Sequence, residues 1–273
     1  MPEMILLLYM FILLLLIGAV AGILAGLLGV GGGVVLVAAF FYAFQTLGYD
    51  SPQLMQICLA TSLTTIIVTS VRSVMGHHKN GAVDWKILQK WAPGIVIGAI
   101  GGVMIVATLT SQNLQIIFGI LAFLVGLYMG FGKHYWRLGD NMPTGVFRVI
   151  LSPIVGFLSV LMGIGGGSFG VPLMTLYGQT MHKAVATSAG FGVIIAVPSV
   201  MAFLLMPIDT QSRPPFNIGA VNLVAFVVVI MMTLLTTPLG VRMAHAIDPV
   251  PLRKIFAIFL VIVALNILRQ AFS

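Results

Sequence analysis

Charged residues are scarce in this sequence. Only 7% of its 273 residues are Asp, Glu, Lys or Arg, whereas about a quarter is usual in a soluble domain. A single cysteine, Cys58, excludes an intrachain disulfide and a cysteine metal cluster. Buried carboxylates along an ion path, which are typical of pumps and cation transporters, are also not expected. All six acidic residues fall in predicted loops or at helix ends: Glu3, Asp50, Asp84, Asp140, Asp209 and Asp248.

The motifs of common enzyme classes are missing as well. The sequence has no HExxH zinc motif, no P-loop lysine and no Gly-x-Ser-x-Gly elbow. His77 and His78 are adjacent, and adjacent positions on a helix do not face one metal ion. The sequence therefore indicates neither an enzyme nor a metal or cofactor site.

Apolar sequence, in contrast, is abundant. Hydrophobic residues make up 60% of the chain and its mean hydropathy is +1.14. Several apolar runs reach the roughly 20 residues that span a bilayer, so we predict an all-α polytopic membrane protein. The net charge of +7 comes largely from short loops, which is typical of orientation signals rather than of nucleic-acid binding. Ten helical segments are predicted: 4–28, 34–47, 53–75, 87–108, 113–131, 146–163, 167–178, 183–206, 218–239 and 251–270.

Two glycine clusters interrupt this apolar sequence. Gly29-Val30-Gly31-Gly32-Gly33 follows the first segment, and Gly163-Ile164-Gly165-Gly166-Gly167 follows the sixth. Glycine costs about 1 kcal/mol per residue in a helix interior, so each cluster is expected to break its helix. Within a membrane, broken backbone is tolerated only against protein or beside a polar cavity. Matching breaks in two halves of a chain indicate a transporter binding site.

The two halves also match elsewhere. The glycine clusters are 134 residues apart (Gly31 to Gly165), and the Ala-Thr-Ser triplets at 60–62 and 186–188 are 126 apart. Gly81-Ala82-Val83-Asp84 corresponds to Gly219-Ala220-Val221-Asn222 at a distance of 138. We predict a five-helix repeat over residues 1–132, a cytoplasmic linker over 133–145 and a second repeat over 146–273.

The basic residues predict the orientation of the repeats. With ten crossings, all lysines and arginines except Arg213 and Arg269 fall on one side, which the positive-inside rule makes cytoplasmic. Both termini are then outside. Because each repeat has five segments, an odd number, the second repeat must be inverted.

A broken helix also offers a binding chemistry. The first N–H groups of a helix have no intrahelical partner and carry about half a positive charge, so they bind anions without a charged side chain. We expect one small anion between the two breaks. The alternative is that the glycines only allow close helix packing and the hydroxyls bond back to their own helices. The expected substrate-binding residues are Gly31, Gly32, Gly33, Gly165, Gly166 and Gly167 through backbone N–H, Thr61, Ser62, Thr187 and Ser188 through hydroxyls, and Gln179 or His182 nearby.

These motifs resemble the TauE/SafE family of sulfite and organosulfonate exporters. The resemblance rests on the doubled glycine cluster, on His182-Lys183-Ala184-Val185-Ala186-Thr187-Ser188 and on Gly219-Ala220-Val221. It covers essentially the whole chain. It implies export of sulfite or an organosulfonate across the cytoplasmic membrane of a bacterium. From the inverted repeats we expect alternating access, with one bundle moving against the other. An anion channel, an intramembrane enzyme and a scaffold without flux remain alternatives, and homodimer formation is left open.

Overall fold

The computed structural model of the chain describes residues 2–28, 32–131, 137–210, 213–246 and 249–272. These described ranges contain ten helices and one short β-hairpin. The helices are α1 Pro2–Leu28, α2 Gly33–Thr46, α3 Leu54–Lys79, α4 Trp85–Thr108, α5 Ser111–Phe131, α6 Gly145–Leu161, α7 Gly167–Leu176, α8 Met181–Leu204, α9 Leu223–Ala246 and α10 Pro249–Phe272. Strands β1 (Asn217–Ile218) and β2 (Val221–Asn222) pair antiparallel.

The predicted fold class is confirmed. Among the described residues, α3, α4, α5 and α8 are long and apolar enough to cross a membrane by length and composition. Large apolar side chains such as Ile97, Met104 and Leu235 are exposed on the outer faces of their helices, as expected for surfaces against lipid. The chain is an all-α polytopic membrane protein.

Most helix ends lie within a few residues of their predicted positions, but α9 does not. The sequence predicts a helix over 218–239, whereas α9 begins at Leu223 and ends at Ala246. Residues 217–222 form the β1–β2 hairpin instead, and the amide of Asn222 then accepts a hydrogen bond from Ala225 N at 2.8 Å. Asn is a favoured helix N-cap, so this side chain fixes the start of α9.

The helices pack in pairs that correspond between the two halves. Helix α1 packs on α9 as α6 packs on α4, and α2 packs on α3 as α7 packs on α8. The equivalent helices α5 and α10 run antiparallel, because Gly119 lies against Leu268 and Gly126 against Val261. Antiparallel equivalents are what inverted repeats require, since a parallel repeat would align them. The boundaries 1–132 and 146–273 stay a prediction.

The distance between equivalent residues of the two halves falls from 134 at the glycine clusters to 126 at the Ala-Thr-Ser triplets. Part of this change comes from α2, which is one turn longer than α7 (14 against 10 residues). Both helices end in the same turn. Gly48 and Gly178 have φ of 80° and 79°, and the next residue's N–H bonds to Phe44 O and Met174 O respectively. From the sequence alone, the change in spacing is expected to fall in loops, with a longer connection around Gly48-Tyr49-Asp50-Ser51 in the first half. The extra helical turn of α2 corrects that expectation.

Two threonines tie the repeats together. Thr61 on α3 accepts a hydrogen bond from Asn222 N at 3.0 Å, and Thr187 on α8 accepts one from Asp84 N at 2.9 Å. Asp84 caps α4 by accepting from Lys86 N and Ile87 N, as Asn222 caps α9. Each threonine therefore accepts a hydrogen bond from the residue that directly precedes a helix of the other repeat. The two contacts occupy equivalent positions in the two repeats.

We expect Thr61→Val to destabilise the protein more than Thr187→Val. Each change removes a hydroxyl acceptor without a large change of shape, and leaving a buried N–H unpaired costs about 1–3 kcal/mol. Asn222 is 1% exposed, whereas Asp84 is half-buried, so water can replace the lost partner at Asp84 only. Thermal unfolding in detergent measures the difference.

Thr64→Val is the matched control, because the Thr64 hydroxyl bonds only to Ala60 O of its own helix. It should leave the unfolding temperature nearly unchanged. Equal losses in all three variants would show that the two contacts between repeats contribute nothing specific.

Candidate functional site

The two glycine breaks meet inside the protein. Gly31 lies outside the described residues, but Gly32 and Gly33 form the start of α2. A Cβ added to Gly33 would be 2.9 Å from Ile164 Cα and 3.1 Å from Gly163 O. The backbone of one break is therefore in direct contact with the backbone of the other.

This meeting point lies halfway along the two central helices. A Cβ added to Gly165 would be 3.2 Å from Ile66 Cγ2 on α3 and 3.7 Å from Gly192 Cα on α8. Ile66 and Gly192 are each close to the midpoint of their helix. At 1.5 Å per residue, either end of the helix is about 18 Å away. The breaks therefore lie midway between the ends of two helices that are long and apolar enough to cross a membrane.

Each break exposes the start of a short helix to the other. The first intrahelical bond of α2 joins Leu36 N to Gly32 O at 3.0 Å, and that of α7 joins Gly170 N to Gly166 O at 2.7 Å. By helix geometry, three further N–H groups at each start have no partner within their helix. These are the groups of Gly33, Val34 and Val35 in α2 and of Gly167, Ser168 and Phe169 in α7.

Ser62 joins the two breaks through its hydroxyl. Its Oγ lies 2.8 Å from Gly163 O and 3.3 Å from Gly33 O, so it donates to carbonyl groups of both repeats. Ser188, its equivalent, has a much weaker contact to Met174 Sδ at 3.9 Å. Thr61 and Thr187 use their hydroxyl oxygens as acceptors for the starts of α9 and α4. The structure thus assigns contacts within the protein to all four predicted hydroxyls, of which that of Ser188 is the weakest, and their binding role stays a prediction.

The predicted glycines also have a packing role. A Cβ added to Gly166 would overlap Phe191 Cβ and would be 2.6 Å from Ser188 O. Gly165, Gly166 and Gly167 are all buried. The close-packing interpretation and the binding interpretation therefore apply to the same residues. A residue larger than glycine at these positions would separate α7 from α8.

Gln179 and His182 lie apart from the breaks. Gln179 is in the turn after α7, where its N–H bonds to Met174 O, and His182 is exposed in the first turn of α8. Helix α7 has ten residues and thus separates both from its own start by about 15 Å. Both residues therefore lie near the end of the α7–α8 pair that is remote from the breaks.

Two further serines belong to the centre and were missed from sequence. Ser168, in the first turn of α7, is 5% exposed, and its buried hydroxyl has no hydrogen-bond partner among the described residues. Ser70 on α3 faces the same break, with its Oγ 3.8 Å from the Cβ position of Gly165. Neither has a serine at the equivalent position of the other half, where Val34 and Ala196 stand, so a search for repeated motifs overlooks both.

The buried polar side chains of the described residues are all uncharged. They are serines, threonines, glutamines and one asparagine. Any anion at the centre would therefore be held by N–H groups, helix dipoles and hydroxyls, without a buried counter-charge from these side chains.

A separate cavity of about 320 Å³ lies at the far end of α2. It is an open cavity bordered by the end of α2, the α2–α3 connection and the α4–α5 corner, and its lining is rich in amides and hydroxyls. In the predicted orientation this end faces outward. The lining residues are Phe41, Gln45, Asp50, Ser51, Pro52, Leu54, Thr110, Ser111, Gln112 and Gln115.

Comparison with known proteins gives relatives over almost the full chain. A probable membrane transporter protein of Haemophilus influenzae is 30% identical over 94% of this chain and 98% of its own length. A probable membrane transporter protein of Methanocaldococcus jannaschii is 26% identical over 94% of each chain. One from Bacillus subtilis is 29% identical over 65% of this chain and 72% of its own. No solved structure matches.

The names of these relatives indicate a membrane transporter rather than an enzyme, and they agree with the multi-pass fold. The profile of one family, described as sulfite exporter TauE/SafE, matches residues 14–267, from within α1 to within α10. That match includes both breaks and both central helices. The chain therefore belongs to the TauE/SafE sulfite exporter family.

Proposed function

We propose that this protein is a secondary transporter that exports a small oxyanion, sulfite or an organosulfonate, across the cytoplasmic membrane of a bacterium. Both termini would lie outside. The name of the family supports the sulfur-containing substrate and the outward direction. The contact between the two broken helices supports a single central site.

The observation that carries the proposal is the start of α7. Three backbone N–H groups without helix partners lie in its first turn beside the unpartnered hydroxyl of Ser168. A buried polar group without a partner costs free energy, so such a group is usually retained for a ligand or a water molecule. The oxygens of a sulfite or sulfonate group accept several hydrogen bonds at once, and the positive end of the helix dipole stabilises their charge.

The packing at the centre favours a carrier over a channel. Residues 163–168 are buried, and the two breaks touch through their backbones. An anion that crosses here needs the contact to open on one side and then on the other. Alternating access, in which one repeat moves against the other around a central site, fits this arrangement.

Counterflow in proteoliposomes tests the proposal. Vesicles that hold the purified protein and unlabelled sulfite should take up ³⁵S-sulfite transiently above its equilibrium level, because a carrier exchanges one substrate for another. Protein-free vesicles and vesicles loaded with chloride are the controls. Sulfite conductance without counterflow would favour a channel. The absence of flux for sulfite, sulfoacetate and other small sulfonates would overturn the proposal.

We expect Ser168→Ala to raise the KM for sulfite at least about tenfold while leaving the unfolding temperature unchanged or slightly raised. The hydroxyl has no protein partner, so its removal costs the unliganded protein nothing, whereas a hydrogen bond to a charged ligand contributes about 1.5–3 kcal/mol. Exchange kinetics and thermal unfolding measure the two effects.

Ser159→Ala is the matched control, because Ser159 on α6 is also fully buried and its hydroxyl also has no partner among the described residues. Ser159 contacts the second break through its backbone carbonyl, which accepts from Ile164 N and is kept in the variant. Its KM should equal that of the unaltered protein. If both variants change the KM equally, or if Ser168→Ala changes only stability, the start of α7 does not hold the anion.

A further inference from the structure

Equivalent residues at the two breaks have different backbone conformations. Gly32 and Gly166 occupy the same place in the repeat, at a distance of 134 residues, and each is the N-cap of its short helix. Gly32 has φ 64° and ψ 0°, which is the left-handed region, whereas Gly166 has φ −62° and ψ −14°, which is right-handed. Glycine populates both regions at similar cost, so either residue can adopt the conformation of the other.

The difference is local to the breaks. The turns that end α2 and α7 are alike, since Gly48 and Gly178 have almost the same φ. The threonine contacts to the starts of α9 and α4 also correspond, at 3.0 and 2.9 Å. The two repeats thus have equivalent contacts and turns on either side of the break, whereas the backbone conformation at the break itself differs.

The serine contacts differ in the same way. Ser62 donates to Gly33 O and Gly163 O, whereas the contact of Ser188 within the described part of the chain is to the sulfur of Met174 at 3.9 Å. Gly167 is the equivalent of Gly33 in the second repeat. The carbonyl of Gly167 is therefore the acceptor expected for Ser188, as Gly33 O is the acceptor for Ser62. Ser188 already lies against the first turn of α7, because a Cβ added to Gly170 would be 2.8 Å from Ser188 Oγ.

We propose that Ser62 and Ser188 are a reciprocal latch, in which Ser62 closes the breaks in the present conformation and Ser188 closes them in the opposite-facing one. This inference rests on the proposed alternating access. When inverted repeats exchange conformations, Gly32 becomes right-handed, Gly166 becomes left-handed, and Ser188 donates to Gly167 O while Ser62 is released. Each serine then stabilises one of the two states, and the pair sets their relative population.

The latch predicts opposite effects for two chemically identical substitutions. Ser62→Ala removes hydrogen bonds that exist only in the present state, and Ser188→Ala removes one that exists only in the other. One hydrogen bond of ordinary strength corresponds to a shift of about fivefold in the equilibrium between the states. Ser62→Ala should lower the population of the present state, and Ser188→Ala should raise it. The double variant should return close to the original ratio.

Exchange of the repeats would close the cavity at the far end of α2 and open its equivalent on the other face, so a thiol in this cavity should report the present state without any substrate. Ser111 lines that cavity, so Ser111→Cys is introduced into a Cys58→Ala background, and its reaction with a charged maleimide is timed in liposomes that hold the full-length protein. We expect labelling to be about fivefold slower with Ser62→Ala than with Ser188→Ala. Ser199→Ala should match the parent, because this buried hydroxyl bonds only to Ile195 O of its own helix.

The ratio of the apparent KM for sulfite on the two faces of the membrane gives a second readout. It should move in opposite directions in the two variants, even where one state is so dominant that labelling changes little. Opposite shifts in either readout support the latch. Equal values for Ser62→Ala, Ser188→Ala and Ser199→Ala in both readouts would overturn it. A protein that exchanges no sulfite contradicts the proposed function, while the labelling result still decides on the latch.

Discussion

The requirement that backbone N–H and C=O groups be satisfied within a bilayer governs this structure. Glycine clusters break two helices at the depth where lipid offers no hydrogen bonds, and the protein resolves the problem by placing each break against the other. Gly33 contacts Gly163 and Ile164, and the central helices α3 and α8 enclose both. The same arrangement leaves the buried hydroxyl of Ser168 at the start of α7 without a partner among the described residues, and in the proposed function the anion completes this hydrogen bonding.

The threonine and the serine of the repeated Ala-Thr-Ser triplet have different structural roles. The threonines at 61 and 187 hold the starts of α9 and α4 in the same way in both halves, so they are part of the framework. The serines at 62 and 188 differ between the halves, as do the conformations of the N-cap glycines. Fixed contacts on both sides of a variable centre are what a transporter with two alternate conformations needs, because the framework can stay intact while the breaks interchange.

Sequence periodicity and glycine spacing predict much of this fold. Ten apolar segments, two breaks and the inverted relation of the halves follow from long-range patterns, and the structure shows the corresponding helix pairs. Details that depend on a single side chain are harder to predict. The hairpin before α9 depends on the cap by Asn222, and the extra turn of α2 has no signal in its apolar sequence. Ser168 was missed because its equivalent is Val34, and distance along α7 separates His182 from the centre although it is near the triplet in sequence.

The central claim is that one oxyanion binds at the start of α7, where the two breaks meet. Selenite has the shape and charge of sulfite, and its selenium scatters X-rays anomalously. Crystals of the protein grown with selenite should give an anomalous peak within hydrogen-bonding distance of Ser168 Oγ and the N–H groups of Gly167–Phe169. A bound selenite found elsewhere, with the start of α7 packed shut against α8, would contradict the account.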